Sequence, residues 1–171
     1  AMLDLMVKTL SGLERGAIHD HIGGGFHRSA GDVNWRYPEF EKLLNYNAPM
    51  LADYLLGYQA TGDPDFKRAA EGIVDYALTT LTDPEGGFYS AQWAASRAED
   101  PRGDYYTFTE EEFRKAVPAG RESIAGTLFN VKPEGETVIG PPPRSLMYLT
   151  MSRKAAADRL GISEQEVREA G

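Results

Sequence analysis

The sequence predicts a mainly α-helical protein that contains one small β-hairpin. Three segments near the N-terminus carry apolar residues at the spacing of one helix face. Asp-Pro pairs stand at Asp63-Pro64 and again at Asp83-Pro84, and such a pair is typical of a helix boundary. Two helices joined by a short turn form an αα-hairpin. The repeated Asp-Pro pairs therefore favour an array of such hairpins.

The first three helices are predicted from periodicity and from the residues at their ends. The first spans about residues 3–15, and the second spans about residues 38–58, where Pro49 should kink or split it. The third spans about residues 64–81, with Asp63 as its N-cap and a proline in its first turn. The second and third helices therefore form one αα-hairpin.

Two short aromatic-rich runs, residues 88–92 and 105–108, are predicted as the two strands of the β-hairpin. The polar segment 98–104 is then an exposed hairpin loop. Residues 132–144, which include three consecutive prolines, show no periodicity and are predicted as loop. Capping signals predict three further short helices, starting after Thr109, Ser152 and Ser163.

Length and charge narrow the class of protein. The 171 residues are most simply one domain with a substantial core. The net charge of −8 argues against a nucleic-acid groove or an anionic membrane surface, because both attract basic patches. Residues 155–168 have the pattern of a DNA-binding helix-turn-helix, but their acidic second helix would repel phosphates. We therefore predict no nucleic-acid partner and no membrane partner.

The chain has no cysteine, which excludes disulfides and thiolate chemistry. No apolar run reaches the length of a membrane span, and the first residues lack the layout of a signal peptide. We expect a cytoplasmic protein and predict no cofactor.

All three histidines, His19, His21 and His27, lie within nine residues around a triple glycine at 23–25. Imidazole changes charge near neutral pH, and glycines allow positive φ and close backbone approach. The histidines are therefore either hydrogen-bonded parts of a turn, an acid/base or ligand site, or a zinc site. No helix-borne pair with metalloprotease spacing is present, and we predict no metal.

A second group of charged and aromatic residues follows the turn and comprises Arg28, Asp32, Trp35, Glu39, Glu41 and Lys42. A tryptophan among charged groups is typical of sugar stacking, and paired carboxylates are what glycoside hydrolysis needs. The alternative is a helix N-terminus enriched in acids, which explains Glu39 and Glu41 equally well. Asn47 lies on an apolar stripe, so it should be buried and hydrogen-bonded. A structural role for Asn47, as a helix cap or a clamp on the glycine turn, is favoured over ligand contact.

The longest motif in the chain runs from the glycine turn into the second predicted helix. It reads Asp20-His21-Ile22-Gly23-Gly24-Gly25-Phe26-His27-Arg28, then Asp32, Trp35, Pro38, Phe40-Glu41-Lys42, Leu44 and Asn47-Ala48. This gapped motif resembles the signature of the thioredoxin-domain-containing, spermatogenesis-associated-type proteins, also called the DUF255 or YyaL group. The blocks at 60–64 and 82–91 are similar to later parts of that family.

Members of that family are longer than this chain. The resemblance implies a thioredoxin-like domain followed by a barrel that resembles six-hairpin glycosidases and N-acylglucosamine 2-epimerases. It further implies that residues 1–171 are one domain, the N-terminal part of an (α/α)6 barrel, without the thioredoxin-like domain and the later barrel half.

The leading hypothesis is a carbohydrate-active-like barrel fragment with an epimerase- or glycosidase-like pocket for a small sugar. The predicted catalytic residues are His21, His27 and Glu41, and the predicted substrate-binding residues are Asp20, Arg28, Trp35 and Asn47. Either histidine would serve as acid or base, Arg28 as a hydroxyl clamp and Trp35 as a stacking surface. The alternative is a non-catalytic structural or protein-interaction module. Residues 93–96 favour it, because Trp-Ala-Ala-Ser stands where the family has an acidic stretch.

An incomplete barrel leaves the apolar sides of its end hairpins without a neighbour. Large exposed apolar patches usually mark an interface. We therefore predict a homo-oligomer, most simply a two-fold homodimer, or association with a complementary barrel half.

Overall fold

The protein is mainly α-helical, as the periodicity predicts. A computed structural model describes residues 2–94, 103–136 and 142–170. The chain divides into two compact units, Ala1–Gly103 and Asp104–Gly171, called here the first and second units. Among the described residues, no helix combines the length and the apolarity that a membrane span requires.

The part of the first unit that the structure describes contains three helices and two small antiparallel sheets. Its helices are α1 (Met2–Arg15), α2 (Leu44–Thr61) and α3 (Pro64–Tyr76), and its strands are β1 (Ser29–Ala30), β2 (Pro38–Glu39), β3 (Lys42–Leu43) and β4 (Ala91–Gln92). Strand β1 pairs with β2, and β3 pairs with β4. A π-helical turn, Ala77–Leu81, continues α3.

Helices α2 and α3 form the predicted αα-hairpin. Gly62 ends α2 in the left-handed conformation, with φ 70°, and its N–H donates to the Tyr58 carbonyl. Asp63 then caps α3 by accepting from the Asp65 N–H, and Pro64 occupies the first turn. The predicted cap and the predicted start of this helix are confirmed.

The start predicted for the second helix is wrong. Residues 38–39 and 42–43 are extended and pair with β1 and β4, so the helix begins only at Leu44. Strand β1 lies just upstream of β2, whereas β4 is distant from β3 in the chain, and together these pairings outweigh the local preference of Pro38 for a first helical turn. Pro49 does not split the helix either, because α2 continues through it to Thr61.

The predicted β-hairpin is also wrong. Residues 91–92 form β4 and pair with β3 in the first unit. Residues 107–108 form β5 (Thr107–Phe108), which pairs with β6 (Ser145–Leu146) in the second unit. Most of the predicted hairpin loop, residues 98–102, lies outside the described residues.

In its described residues the second unit contains β5, β6, a 3-10 turn at Asp104–Tyr106 and four short helices, α4 (Glu110–Ala116), α5 (Glu122–Leu128), α6 (Arg153–Leu160) and α7 (Glu164–Ala170). Thr109 and Glu112 form the predicted capping box of α4. Ser152 caps α6, and Ser163 exchanges hydrogen bonds with Glu166 at the start of α7. All three predicted caps are confirmed, whereas α5 carries no side-chain cap and was not predicted.

Each unit has its own apolar core. The first is built from α1, the glycine turn, α2 and α3, and contains Leu10, Ile18, Phe26, Tyr54, Phe66, Ala69, Ala70 and Ile73. The second contains Ala125, Leu128, Phe129, Met147, Leu149, Ala156, Ala157 and Val167.

Candidate functional site

The glycine turn is closed by backbone hydrogen bonds between its two ends. The Asp20 N–H donates to the Gly25 carbonyl at 3.0 Å, and the Gly24 N–H donates to the Asp20 carbonyl at 3.0 Å. His19 and Phe26 form an isolated antiparallel bridge just outside this loop. Gly24 and Gly25 have φ of 70° and 74°, a conformation that glycine adopts without steric cost.

Asp20 holds the turn from inside. Its Oδ1 accepts from the N–H groups of Ile22 and Gly23 at 3.0 and 2.9 Å. Its Oδ2 pairs with the Lys42 ammonium, which also donates to the Gly24 carbonyl at 2.8 Å. The Asp20 carboxylate thus organises the turn that carries it.

The Lys42 ammonium is deeply buried, since its side chain is 2% exposed and that of Asp20 is 11% exposed. It lies 4.4 Å from the centroid of the Tyr76 ring, in cation–π geometry. Burial lowers the pKa of Lys42, and the Asp20 carboxylate offsets only part of that effect. Burial opposes ionisation of Asp20, but the Lys42 charge and the hydrogen bonds to its carboxylate prevail and lower its pKa.

Asn47 ties the turn to helix α2. It is buried, as predicted, and its Oδ1 accepts from the Phe26 N–H at 2.7 Å. Its amide group donates to the carbonyls of Phe26 and Leu43 at 2.9 and 3.0 Å. A Cβ on Gly25 would lie 3.0 Å from this Oδ1 and 2.7 Å from Cδ1 of Tyr76. Asn47 therefore clamps the turn, and only glycine fits at position 25.

The turn packs backbone to backbone against helix α3. A Cβ on Gly24 would overlap the carbonyl of Gly72, whereas a Cβ on Gly72 would lie at an ordinary 3.7 Å from Cα of Gly24, so Gly24 is the glycine that the close approach requires. The turn and the helix enclose an open cavity of about 290 Å³. It is lined by His19, Asp20, His21, Ile22, Gly23 and Gly24 from the turn, and by Arg68, Glu71, Gly72 and Asp75 from α3.

The three histidines occupy different environments. His19 is buried, its ring stacks on Phe26 with centroids 4.6 Å apart, and its Nδ1 donates to the Glu14 carbonyl at 3.0 Å. His21 is half-buried and contacts the His19 ring edge to face at 4.7 Å. Its Nε2 lies 3.1 Å from the Gly16 carbonyl, which places the hydrogen on Nε2 and leaves Nδ1 as the basic atom of the neutral ring.

His27 lies inside the first unit and does not line the cavity. It is 4% exposed, and its Nδ1 donates to the Phe40 carbonyl at 2.9 Å. Burial lowers the pKa of His27 to about 4, and the nearby Lys42 charge acts in the same direction. The imidazole is therefore neutral at physiological pH, as a packed hydrogen-bond donor.

The other predicted site residues lie outside the cavity. Arg28 and Glu41 pair at the surface with 3.4 Å between Nε and Oε2, and Glu39 lies 3.7 Å from the same guanidinium. Trp35 packs on α1, where a Cβ on Gly12 would lie 3.6 Å from its indole nitrogen. The structure thus brings His21 and Asp20 to the cavity, together with the α3 residues, and places Arg28, Trp35, Glu41 and Asn47 elsewhere.

The helix α3 wall of the cavity was missed by sequence reasoning. Its residues Arg68, Glu71, Gly72 and Asp75 recur at intervals of three and four, so they share one face. A charged helix face normally indicates solvent exposure, so the sequence pattern gave no indication that this face lines a cavity. The available signal was Gly72, a glycine in the middle of a helix, where it costs stability relative to alanine, and the structure places this residue beside Gly24.

The described residues contain no group of three or more His, Asp or Glu side chains that could hold a metal ion. The lining of the cavity instead includes two imidazoles, a guanidinium and three carboxylates. Such a lining suits a ligand with several hydroxyl groups.

Fold and site together define a mainly helical protein with a histidine-bearing glycine turn anchored on an αα-hairpin. The chain is 37% identical over 96% of its length to spermatogenesis-associated protein 20 of Homo sapiens, of which it covers 23%. It is 37% identical over 67% of its length to the protein of the same name from Mus musculus, covering 15% of it. This homology supports the spermatogenesis-associated-type family.

A more distant relative is the uncharacterized protein B0495.5 of Caenorhabditis elegans, which is 27% identical over 95% of the chain. The chain spans about a quarter or less of the length of these curated relatives. No protein-family model matches the chain.

Proposed function

We propose that the cavity beside the glycine turn binds a small polyhydroxylated ligand, in the manner of a carbohydrate-active protein. As the resemblance implies, we further propose that the chain is part of an (α/α)6 barrel related to six-hairpin glycosidases and N-acylglucosamine 2-epimerases, in a family with thioredoxin-like domains. The observation that carries it is the convergence of His21, Arg68, Glu71 and Asp75 on one open cavity with an anchored glycine floor.

The anchoring supports the proposal because binding is stronger when the site is already ordered. Asp20 and Lys42 pair with each other, and both of them and Asn47 bond the backbone of the turn, so the turn does not need a ligand to hold its shape. Asp75 and Glu71 accept hydrogen bonds from ligand hydroxyls, and Arg68 donates to them. His21 is the acid/base group of this proposal, since His27 is buried.

A thermal-shift screen with neutral sugars, including glucose and N-acetylglucosamine, tests the binding. A ligand that binds only the folded protein raises the melting temperature. We expect Asp75→Asn to remove the shift in melting temperature. The control is Asp53→Asn, the same change at an exposed residue of helix α2, which should retain the shift. Equal shifts in both variants, or no shift with any sugar, would contradict the proposal.

A second candidate function is a protein-interaction module. An apolar groove between α1 and α2 supports this candidate. It measures about 340 Å³, and its walls include Met2, Leu5 and Leu56, which are 85%, 67% and 59% exposed. In this candidate the groove packs on a second copy of the chain or on a complementary barrel half.

Light scattering tests the second candidate. A dimer of the wild-type chain that Leu56→Glu dissociates would support it. The control is Leu78→Glu, because Leu78 is also exposed, at 58%, but does not line the groove. A monomer of 18.8 kDa that unfolds cooperatively would contradict self-association.

A further inference from the structure

The second unit contains a cavity with an unusual charge for this acidic chain. It measures about 340 Å³ and lies between the end of α5, the segments around residues 129–132 and 150–151, and helix α6. Lys132 and Arg159 line it, whereas no Asp or Glu side chain of the described residues does. The chain as a whole has a net charge of −8. The cavity is therefore a local concentration of positive charge.

Asn130 supplies a buried polar group to the same cavity. The residue is 4% exposed, and its backbone N–H donates to the Tyr148 carbonyl at 3.1 Å. Its side-chain nitrogen is buried and has no hydrogen-bond partner among the described residues. A buried donor left unpaired costs about 1–3 kcal/mol, and Asn130 is one of the residues that line the cavity. An acceptor in the cavity would satisfy this amide.

The carbonyls at the end of α5 would repel an anion if they were unpaired. Thr150 covers them, because its hydroxyl donates to the carbonyls of Thr127 and Leu128 at 2.9 and 3.2 Å. Its backbone N–H also donates to the Leu128 carbonyl, at 2.8 Å. The last two carbonyls of α5 are thereby paired with hydrogen-bond donors.

We propose that this cavity binds the oxyanion of a small ligand, a phosphate or a carboxylate. Arg159 pairs with two of its oxygens in fork geometry, and the Asn130 amide donates to an oxygen. The Lys132 ammonium lies 3.7 Å from the carboxylate of Glu136, whose side chain is 22% exposed, and it also contacts the bound oxyanion. Phe129 and Met151 contact the apolar body of the ligand.

Titration of the whole chain with inorganic phosphate and, separately, acetate tests the proposal by amide NMR, with chloride at equal ionic strength as reference. We expect saturable shifts at residues 126–132 and 150–151 at millimolar anion. Shifts with phosphate alone assign the site to phosphate groups, and shifts with acetate alone assign it to carboxylates. Absence of saturable shifts with both anions, or equal shifts with chloride, overturns the proposal.

Two charge-matched variants of helix α6 separate a built site from general attraction. Arg159→Gln should weaken binding roughly tenfold, since a charge-assisted hydrogen bond contributes about that factor. Lys154→Gln removes the same charge from an exposed residue that does not line the cavity, and should leave binding unchanged. Equal loss in both variants overturns the proposal.

A third variant tests Asn130 itself. Asn130→Asp keeps the shape of the side chain but repels an anion, so the folded variant should lose the shifts. Undiminished binding by Asn130→Asp overturns the role of the amide. If that variant does not fold, the comparison of Arg159→Gln with Lys154→Gln decides the proposal.

Discussion

Replacement of Lys42 by methionine should strongly destabilise the first unit. The change keeps most of the apolar stem but removes the ammonium that pairs with Asp20 and donates to the Gly24 carbonyl. An uncompensated carboxylate then remains at a side chain that is 11% exposed. Breaking a buried pair in this way typically costs about 3–5 kcal/mol, a large part of the about 5–15 kcal/mol that stabilises a typical domain.

Urea unfolding followed by tryptophan fluorescence measures this loss. Both tryptophans, Trp35 and Trp93, lie in the first unit, so the signal reports on the unit that contains the pair. The control is Lys67→Met, which removes an exposed i,i+4 pair with Glu71 and should change the free energy of unfolding by less than about 0.5 kcal/mol.

A double variant, Asp20→Asn with Lys42→Met, isolates the coupling between the two groups. Because both single variants break the same pair, the double variant should lose less than the sum of their losses. If Lys42→Met cost no more than Lys67→Met, the Asp20–Lys42 pair would not be what holds the glycine turn.

Three further variants probe the turn and its surroundings. Gly24→Ala and Gly62→Ala both place Ala at φ 70°, but only Gly24 meets another backbone. Gly24→Ala should therefore lower the free energy of unfolding by about 1–3 kcal/mol more than Gly62→Ala does. Equal losses would contradict the close packing. Asn47→Ala should cost about 3 kcal/mol by leaving both Phe26 backbone groups unpaired, whereas exposed Asn45→Ala on the same helix should be near neutral in urea unfolding. His27 has a pKa of about 4 in the folded protein, against an ordinary value of 6.5, so the unfolded chain binds the proton at a higher pH than the folded chain does. The contribution of this group to stability is therefore fully present above about pH 6.5 and is lost as the pH drops toward 4. The loss from this group between about pH 7 and pH 5 should be about 2 kcal/mol, and an unchanged pH slope in His27→Gln would refute it.

Local capping signals in the sequence predicted the starts of α3, α4 and α6, whereas the predicted start of the second helix was wrong. Asp63, Thr109 and Ser152 each bond a backbone N–H two or three residues later, so the information needed is contained in one turn of chain. The strand partners were not predictable in this way. Each of the predicted strands pairs with a segment far along the chain, β4 with β3 and β5 with β6, and only the packed fold determines that choice.

The candidate site was predicted in part, for the same reason. The burial of Asn47 followed from its place on an apolar stripe, and its clamp on the turn is one of the alternatives that the sequence allowed. The adjacent helix α3 wall depends on the backbone contact between Gly24 and Gly72, which joins segments almost fifty residues apart. Lys42 stood among surface-like charges in the sequence, and its burial depends on the pairing of β3 with β4.

Sugar binding in the cavity beside the glycine turn is tested most directly by an NMR titration that locates the bound sugar on the first unit. The whole chain is titrated with glucose and with N-acetylglucosamine, with glycerol as the reference for unspecific hydroxyl contact. We expect saturable amide shifts at His21, Gly23, Gly24 and Gly72, which are turn and helix residues that line the cavity. Shifts that fall elsewhere, or that glycerol reproduces, would contradict the assignment of this cavity as the binding site.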